Sequence, residues 1–320
     1  MWSSIVFTAT HNDCVGASPH KHGRKDLQSR GEAMLLSRIS TGRLCLVGKT
    51  RVYGFCGTVR AISTSRSRST LSLQPHDVKA VQTGDLGSSN FSIFFTEKAS
   101  NRTISPWHDI SLFSEINDGG NAACYNFINE IPRYTKPKME IATTVKLNPI
   151  VQDTKKGKLR EYHGPLYWNY GCLPQTWEDP GVPNPEVNNY MGDNDPLDVV
   201  EIGSKTLKMG AVVPVKPLGI LSMIDGGELD WKLIAICAED PMASKLNGIS
   251  DVELHCPGTV SGIREWFRWY KTPDGKDVNT FGHNEVALDS EFAVEVINET
   301  HVFWKNLFEG VNKPTKLWLE

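Results

Sequence analysis

Gly192-Asp-Asn-Asp-Pro-Leu-Asp-Val-Val-Glu-Ile-Gly203 runs from an acidic turn straight into an apolar segment. Asn and Asp-Pro form turns, and residues 197–202 read as a strand leaving this one. Asp193, Asp195 and Asp198 put three carboxylates within six residues. Carboxylates about 5 Å apart repel by roughly 3 kcal/mol per pair at an effective dielectric of about 20. Such crowding calls for a cation or for proton uptake. Hard oxygen donors at this density favour Mg²⁺, Mn²⁺ or Ca²⁺. An EF-hand needs Gly at loop position 6 and Glu at position 12. Counted from Asp193 those positions hold Asp198 and Ser204, so that motif is excluded. Taken alone, the stretch reads equally as a metal site or as a solvated turn.

A second acidic group, Asp225-Gly-Gly-Glu-Leu-Asp230-Trp-Lys232, shifts that balance. It lies between two apolar runs, where turn acids can point into one cavity. Basic residues accompany the acids: Lys138 beside Glu140, Arg160 after Lys155-Lys-Gly-Lys158, Lys232, and the pair Tyr270-Lys271. Acids that hold metals and Lys, Arg and Tyr that hold anions together suit phosphoryl transfer, with water activated by the metal as nucleophile. No Ser-His, Cys-His or G-x-S-x-G arrangement competes.

Around these groups the chain reads as strands first and helices last, which points to α+β architecture. From about residue 91 short apolar runs alternate with Pro and Gly. Segments 126–131, 197–202, 212–215, 219–224 and 231–238 read as strands. Lys138-Met-Glu-Ile141 alternates, placing Lys138 and Glu140 on one face and Met139 and Ile141 on the other. Ser250 and Glu253 have capping-box spacing for a short helix through His255. A helix is expected from Pro257, with Val260, Ile263, Phe267 and Tyr270 at helical spacing, and another over 290–309, stopped by Gly310.

The 320 residues carry a net charge of −3. Residues 1–75 hold 11 Lys/Arg, only Asp13, Asp26 and Glu32 as acids, and 11 Ser. That leaves −11 for the remainder, an imbalance that argues against nucleic acid as a partner. A basic, Ser-rich, acid-poor leader has the composition of an organelle transit peptide, plastid or mitochondrial. The expected division is therefore 1–75 as transit or disordered extension and 76–320 as one catalytic domain, with cleavage between about 55 and 90. No apolar run approaches the ~18–20 residues of a membrane span, so a soluble protein with no membrane partner is expected. Seven cysteines without a C-x-x-C pair read as mostly buried free thiols. Gly42 to Thr50 imitates a phosphate loop but has five residues between its glycines where the motif has four.

Several segments in order resemble the soluble inorganic pyrophosphatases of family I, in their longer eukaryotic form. They are Ile104-Ser-Pro-Trp-His-Asp-Ile110, Glu130-Ile-Pro-Arg133, Gln152-Asp-Thr-Lys-Lys-Gly-Lys-Leu-Arg160, Gln175-Thr-Trp-Glu-Asp-Pro180, the stretch 192–203, Asp230-Trp-Lys232 and Trp266-Phe-Arg-Trp-Tyr-Lys271. The resemblance covers residues from about 100 nearly to the end. Tyr167-Trp-Asn-Tyr-Gly171 and the N-terminal extension look most like plastid members of plants and algae, which favours plastid over mitochondrion.

The resemblance implies a single α+β domain around a five-stranded OB-like barrel with flanking helices. It implies Mg²⁺-dependent hydrolysis of diphosphate to two orthophosphates, with three to four ions during turnover, by a monomer or homodimer. Asp193, Asp198 and Asp230 would ligate the first metal, Asp198 would bridge to a second, and Asp225 and Glu140 would bind further ions. Asp195 would be the general base toward the attacking water. Arg160, Lys138, Lys232, Tyr270 and Lys271 would hold the phosphates, with Glu130 and the catalytic Tyr170 in the pocket wall. One position departs from the family pattern. A pocket tyrosine is usual four residues before the equivalent of Tyr170, where this chain has Leu166. Tyr167 follows on the opposite strand face unless the bend at Gly164-Pro165 re-aims it.

Overall fold

The computed structural model describes residues 71–116, 123–311 and 316–320. The basic leader up to residue 70, the phosphate-loop imitation, and Cys14, Cys45 and Cys56 lie outside the described residues. Among the described residues, no helix is long and apolar enough to cross a membrane. Cys172 and Cys237 are buried thiols outside any disulfide, Cys124 is buried and Cys256 is partly buried.

Strands β1 (Val78–Thr83), β2 (Ser92–Glu97), β4 (Met139–Ile141) and β5 (Ile150–Gln152) form one sheet in the order β1-β2-β5-β4. The other main sheet contains β3 (Tyr125–Ile131), β6 (Asn169–Cys172), β7 (Asp198–Glu201), β8 (Val212–Asp225), β9 (Glu228–Cys237) and the short β10 (Thr280–Phe281). Pairing runs from β9 to β7, β6, β3 and β8, and β8 pairs back onto β9. Each of these five strands thus has a partner on both sides, which leaves no exposed ladder among them. Only β7 and β9 run parallel.

Alternation along these strands builds two cores. Phe127, Val199, Ile220 and Leu233 pack in one cluster with Ala293, Val296 and Ile297. Their chain neighbours Ile128, Val200, Leu221 and Ile234 pack in the other, with Phe95, Ile150, Val260, Ile263 and Phe267. Successive side chains point to opposite faces, so one apolar run serves both cores. The same period places Asp198 with Val200, Asp230 and Lys232 with Ile234, and Asp225 with Met223, all on the second face.

Segments 212–215 and 219–224 belong to one 14-residue strand. Pro217 ends the first half without breaking it, because the register shifts between Pro217 and Gly219, and a bulge tolerates a proline that a regular ladder does not. The β8–β9 loop is Gly226-Gly227, both at positive φ (+64° and +98°), as a two-residue type I′ hairpin turn requires.

Helices α1 (Ile249–His255), α2 (Thr259–Trp269) and α3 (Ser290–Phe308) follow the strands. The capping box at Ser250 does not form: α1 starts at Ile249 with Gly248 as N-cap, so Ser250 sits two positions too far inside. Asp289 caps α3 by accepting the Phe292 N–H at 2.9 Å, and Gly310 ends it at φ +79°. The ordered body also begins earlier than residue 76. Leu73 is buried and exchanges backbone hydrogen bonds with Asp109 (3.0 Å) and Ser111 (2.9 Å). The Gln74 side chain accepts from Asn126 at 3.1 Å.

Gly171 on β6 lies against β3, where an added Cβ would meet the Ile128 carbonyl oxygen at 2.0 Å. Backbone cannot yield as a side chain does. Gly171→Ala should lower stability by about 2–3 kcal/mol, several degrees in Tm for a domain of this size. Gly164→Ala, with no heavy atom within 4 Å of its Cβ, should change Tm little. Equal thermal melts for the two variants would contradict this packing.

Candidate active site

The face carrying Asp198, Asp230 and Lys232 opens into a cavity of about 180 Å³. The acidic turn 193–198 supplies Asp193, Asp195 and Asp198 to its lining, and the β8–β9 hairpin supplies Asp225, Asp230 and Lys232. Glu140 enters from β4 and Lys138 from the residue before it, Arg160 from beyond β5, Tyr170 from β6, and Tyr270 and Lys271 from the end of α2. All twelve residues singled out in the sequence, and Glu130, therefore line one cavity. The parallel register of β7 and β9 sets Asp198 directly beside Lys232.

Lys232 is 1% exposed and donates both to Asp198 and to Asp230. Burial alone would favour its neutral form, but the Asp198 and Asp230 charges outweigh that and raise its pKa. The Tyr170 hydroxyl donates to the same Asp198 oxygen. Asp225 accepts from Lys271 and, at 2.7 Å, from the Tyr270 hydroxyl. Burial opposes its ionisation, yet these two hydrogen bonds win and lower its pKa. Lys138 pairs with Glu140 and, at 3.2 Å, with Asp153. Asp153 also pairs with Arg160. Glu130 accepts the Ile141 N–H at 2.7 Å, and burial first, with the Asp198 charge, raises its pKa well above the carboxylate range.

Within the acidic turn Asp198 has Lys232, while neither Asp193 nor Asp195 pairs with a cation among the described residues. Asn194 takes φ +75°, and Asp193 accepts the Asp195 N–H at 3.0 Å, closing a side-chain turn. Burial, then the charges of Asp195 and Asp198, push Asp193 up to about 8. Asp195 is also raised, by the surrounding protein first and then by Glu140 and Asp198. Its carboxylate stays open to solvent in the cavity, which weakens the first cause and leaves the upward direction resting on the neighbouring charges. Asp230 is raised, chiefly by burial.

Three residues went unread in the sequence. Glu178, from the quoted Trp177-Glu-Asp-Pro180, is buried with one carboxylate oxygen close to Asp193 and Asp230; ligand atoms of the three lie within 4.8 Å of one another. The tight acidic group is thus Glu178, Asp193 and Asp230, while Lys232 donates to Asp230 as well as to Asp198, which Tyr170 also meets. Asp153 orients two of the cations. Tyr162 lines the cavity and lies 5.8 Å, ring to ring, from Tyr270. At the altered turn, Leu166 is fully buried in the core and Tyr167 is 50% exposed, so neither lines the cavity. The donor chemistry fits a divalent cation: hard oxygens, close together, with a buried oxygen of Glu178 lacking any hydrogen-bond partner.

Beyond the mouth, a ribbon of Thr154–Lys155 and Lys158–Leu159 carries Lys155, Lys156 and Lys158 along an outer cavity of about 380 Å³. The outer cavity shares Lys138, Arg160, Tyr162, Tyr270 and Lys271 with the inner one.

The profile described as inorganic pyrophosphatase matches residues 127–305, which include the acidic turn, the hairpin and the end of α2. The chain belongs to the inorganic pyrophosphatase family. It is 47% identical over 256 residues to "Soluble inorganic pyrophosphatase 6, chloroplastic" of Arabidopsis thaliana, covering 79% of this chain and 83% of that one. It is 43% identical over 276 residues to the inorganic pyrophosphatase of Drosophila melanogaster, covering 84% and 79%. Among solved structures, the type I inorganic pyrophosphatase of Toxoplasma gondii superposes with a TM-score of 0.69 at 50% identity, over 72% of this chain and 99% of that one. Membership in the pyrophosphatase family agrees with an α+β body of sheets and a few helices.

The raised carboxylates fix a pH dependence. A group whose folded pKa is raised favours the fold below its unfolded pKa, and that contribution is lost as pH climbs through the folded value. For Asp193 the window runs from about 4 to about 8, and Asp230 and Glu178 shift in the same direction. Chelator-treated protein should therefore lose Tm between pH 5 and pH 8, and millimolar Mg²⁺ should restore more at pH 8 than at pH 5. A chelated protein that gains stability over this interval, with no larger Mg²⁺ effect at pH 8, would contradict the crowding.

Proposed function

We propose that this chain hydrolyses inorganic diphosphate to two orthophosphates in this cavity, with Mg²⁺ as its metal. One observation carries the reading: seven carboxylates and four cationic side chains from separate segments line a single small cavity. Diphosphate offers only charge and oxygens for recognition, and such a lining answers both. The ring of β3, β6, β7, β8 and β9 is read as the OB-like barrel of the family.

In this reading Asp193, Asp198 and Asp230 would hold the first ion, Asp198 would also serve a second, and Asp225 and Glu140 would serve ions that come with substrate, three to four in all. When bound, Mg²⁺ offsets phosphate charge and makes water more acidic. The chain's residues do the rest. Asp195, open to the cavity, takes a proton from the attacking water. Lys138, Arg160, Lys232 and Lys271 grip the phosphoryl oxygens, and Asp153 aims two of them. Tyr270 and Tyr170 stay protonated at neutral pH, because burial and then the nearby Asp225 or Asp198 charge raise them. They remain hydrogen-bond donors. Tyr162 supplies the phenol absent at Leu166. A two-metal nuclease is disfavoured by the −11 balance of the chain beyond residue 75. A monomer or homodimer fits equally.

Phosphate release from diphosphate against organic phosphomonoesters, with Mg²⁺ titrated, tests the reading. The expected result is diphosphate turnover with a strict Mg²⁺ requirement and inhibition by Ca²⁺. A folded preparation lacking residues 1–70 that releases no phosphate from Mg-diphosphate would sink it. Asp195→Asn should lower turnover by about 10²- to 10⁴-fold while changing metal affinity far less. Unchanged turnover removes the base assignment.

The leader is proposed to be a plastid transit peptide, with the catalytic domain beginning no later than Leu73, since Leu73 and Gln74 are built into the body. The chloroplastic name of the Arabidopsis relative supports plastid over mitochondrion. The Drosophila relative is nearly as similar, so the address must be read from the leader and not from the domain. A fluorescent fusion of residues 1–70 should enter plastids; diffuse cytosolic signal would overturn the assignment.

A further inference from the structure

Beside the acidic turn the fold leaves a second cavity, of about 50 Å³, that shares no lining residue with the first. It lies between β9, the loop 179–185 and helix α3. Its walls are mostly apolar: Val182, Pro183, Pro185, Leu229, Trp231 and Phe303. Three acids complete them, Glu178, Asp179 and Glu299, and among the described residues no Lys, Arg or His joins the lining.

The three acids are not equivalent. Asp179 accepts the Gly181 N–H of its own loop at 2.8 Å. Glu299 is exposed, and burial first and then the Glu186 charge raise its pKa. Glu178 is 3% exposed. Its Oε1 accepts the Trp231 N–H at 2.9 Å, but Oε2 is buried and has no hydrogen-bond partner. An unpaired buried acceptor costs about 1–3 kcal/mol, and more when charged. Asp193 and Asp230, whose oxygens lie within 4.8 Å of its own, are acids and offer no relief.

An apolar slot with an unpaired carboxylate oxygen and a second carboxylate on its exposed side is complementary to a cation that carries hydrocarbon. Size and surroundings narrow the head group. A water needs about 10–15 Å³ of such volume, so the enclosed part holds roughly four non-hydrogen atoms. A guanidinium, a carbon and its nitrogens, has that size. It is flat, is stripped of water more readily than an ammonium, and stacks on aromatic rings such as Trp231 and Phe303.

We propose that this second cavity binds a small alkylguanidinium ion, with its head on Glu178 Oε2 beside Trp231 and its tail leaving past the exposed Val182. The site stands whatever reaction the first cavity performs. An occupant neutralises Glu178 without entering the first cavity, and sets a positive charge one carboxylate away from Asp193 and Asp230. The second cavity is thus a place from which an organic cation can act on the acidic turn from outside.

Calorimetric titration of the full chain with propylguanidinium tests this, with the uncharged propylurea as its match in shape. Propylguanidinium should bind at a single site in the millimolar range or tighter, and propylurea about tenfold more weakly. Glu178→Gln should weaken the ion about tenfold. Phe303→Ala and Glu299→Gln, both on α3 and outside the first cavity, should each weaken it about threefold. Asp225→Asn, which alters only the first cavity, should leave it unchanged. Should Phe303→Ala fail to fold, Val182→Trp, on the exposed side, should abolish binding by filling the opening. No binding of propylguanidinium, or equal binding of propylurea, overturns the inference. So does an Asp225→Asn variant that binds as weakly as Phe303→Ala, because the ion then sits in the first cavity.

Discussion

Repulsion among buried carboxylates is the constraint on which the rest of this molecule depends. Seven acids share the cavity with four fixed cations. Lys232 lies between Asp198 and Asp230, Lys271 meets Asp225, and Lys138 meets Glu140. Asp193, Asp195 and Glu178 are left with backbone and one another. A low-dielectric setting makes each such pairing strong and each omission expensive. The site is therefore balanced on its basic side and deficient on its acidic side, which is the asymmetry that mobile divalent ions can fill.

Holding that arrangement requires rigid register, and the strand ring supplies it. Asp198 is opposite Lys232 only because β7 and β9 pair in parallel at that position. The β8–β9 hairpin sets Asp230 across from Met223, two residues before Asp225, so one tight glycine turn positions two acids and a lysine. A slip of one residue would send all of them to the opposite face. Close approach of β6 to β3 at Gly171 keeps Tyr170 on the cavity side. Helix α2 contributes by its end: Phe267 is buried in the core shared with Tyr170, and Tyr270 and Lys271 follow directly.

Much of this was legible in the residues because short-range rules govern it. Period two at Lys138 and Glu140, the Asp-rich turn, and the apolar spacing of the last helix all act within a few positions. The unread parts depend on distant partners. Glu178 is one acid beside Asp179 in the sequence, and only the pairing of its backbone with residues 194 and 195 brings it to the metal side. Asp153 gains its meaning from Lys138, brought to it by the pairing of β4 with β5, and from Arg160, returned to it by the ribbon of residues 154–159. Strand β1 went unread upstream of the apolar texture because it is mostly exposed and lacks the alternation of a half-buried strand. The capping pattern at Ser250 lost to a helix that starts two residues earlier, with Gly248 as its N-cap. Tyr162, separated from Tyr170 by a Gly-Pro bend, reaches the cavity along a path that strand alternation cannot follow.

The central claim is that these carboxylates converge to hold divalent ions in the cavity where phosphate is bound. Anomalous diffraction from crystals of the protein grown with Mn²⁺ tests it without recourse to activity. The account predicts an anomalous peak inside the cavity, within coordination distance of Asp193 and Asp230. A well-ordered cavity with no anomalous peak, or Mn²⁺ bound only elsewhere on the surface, would contradict it.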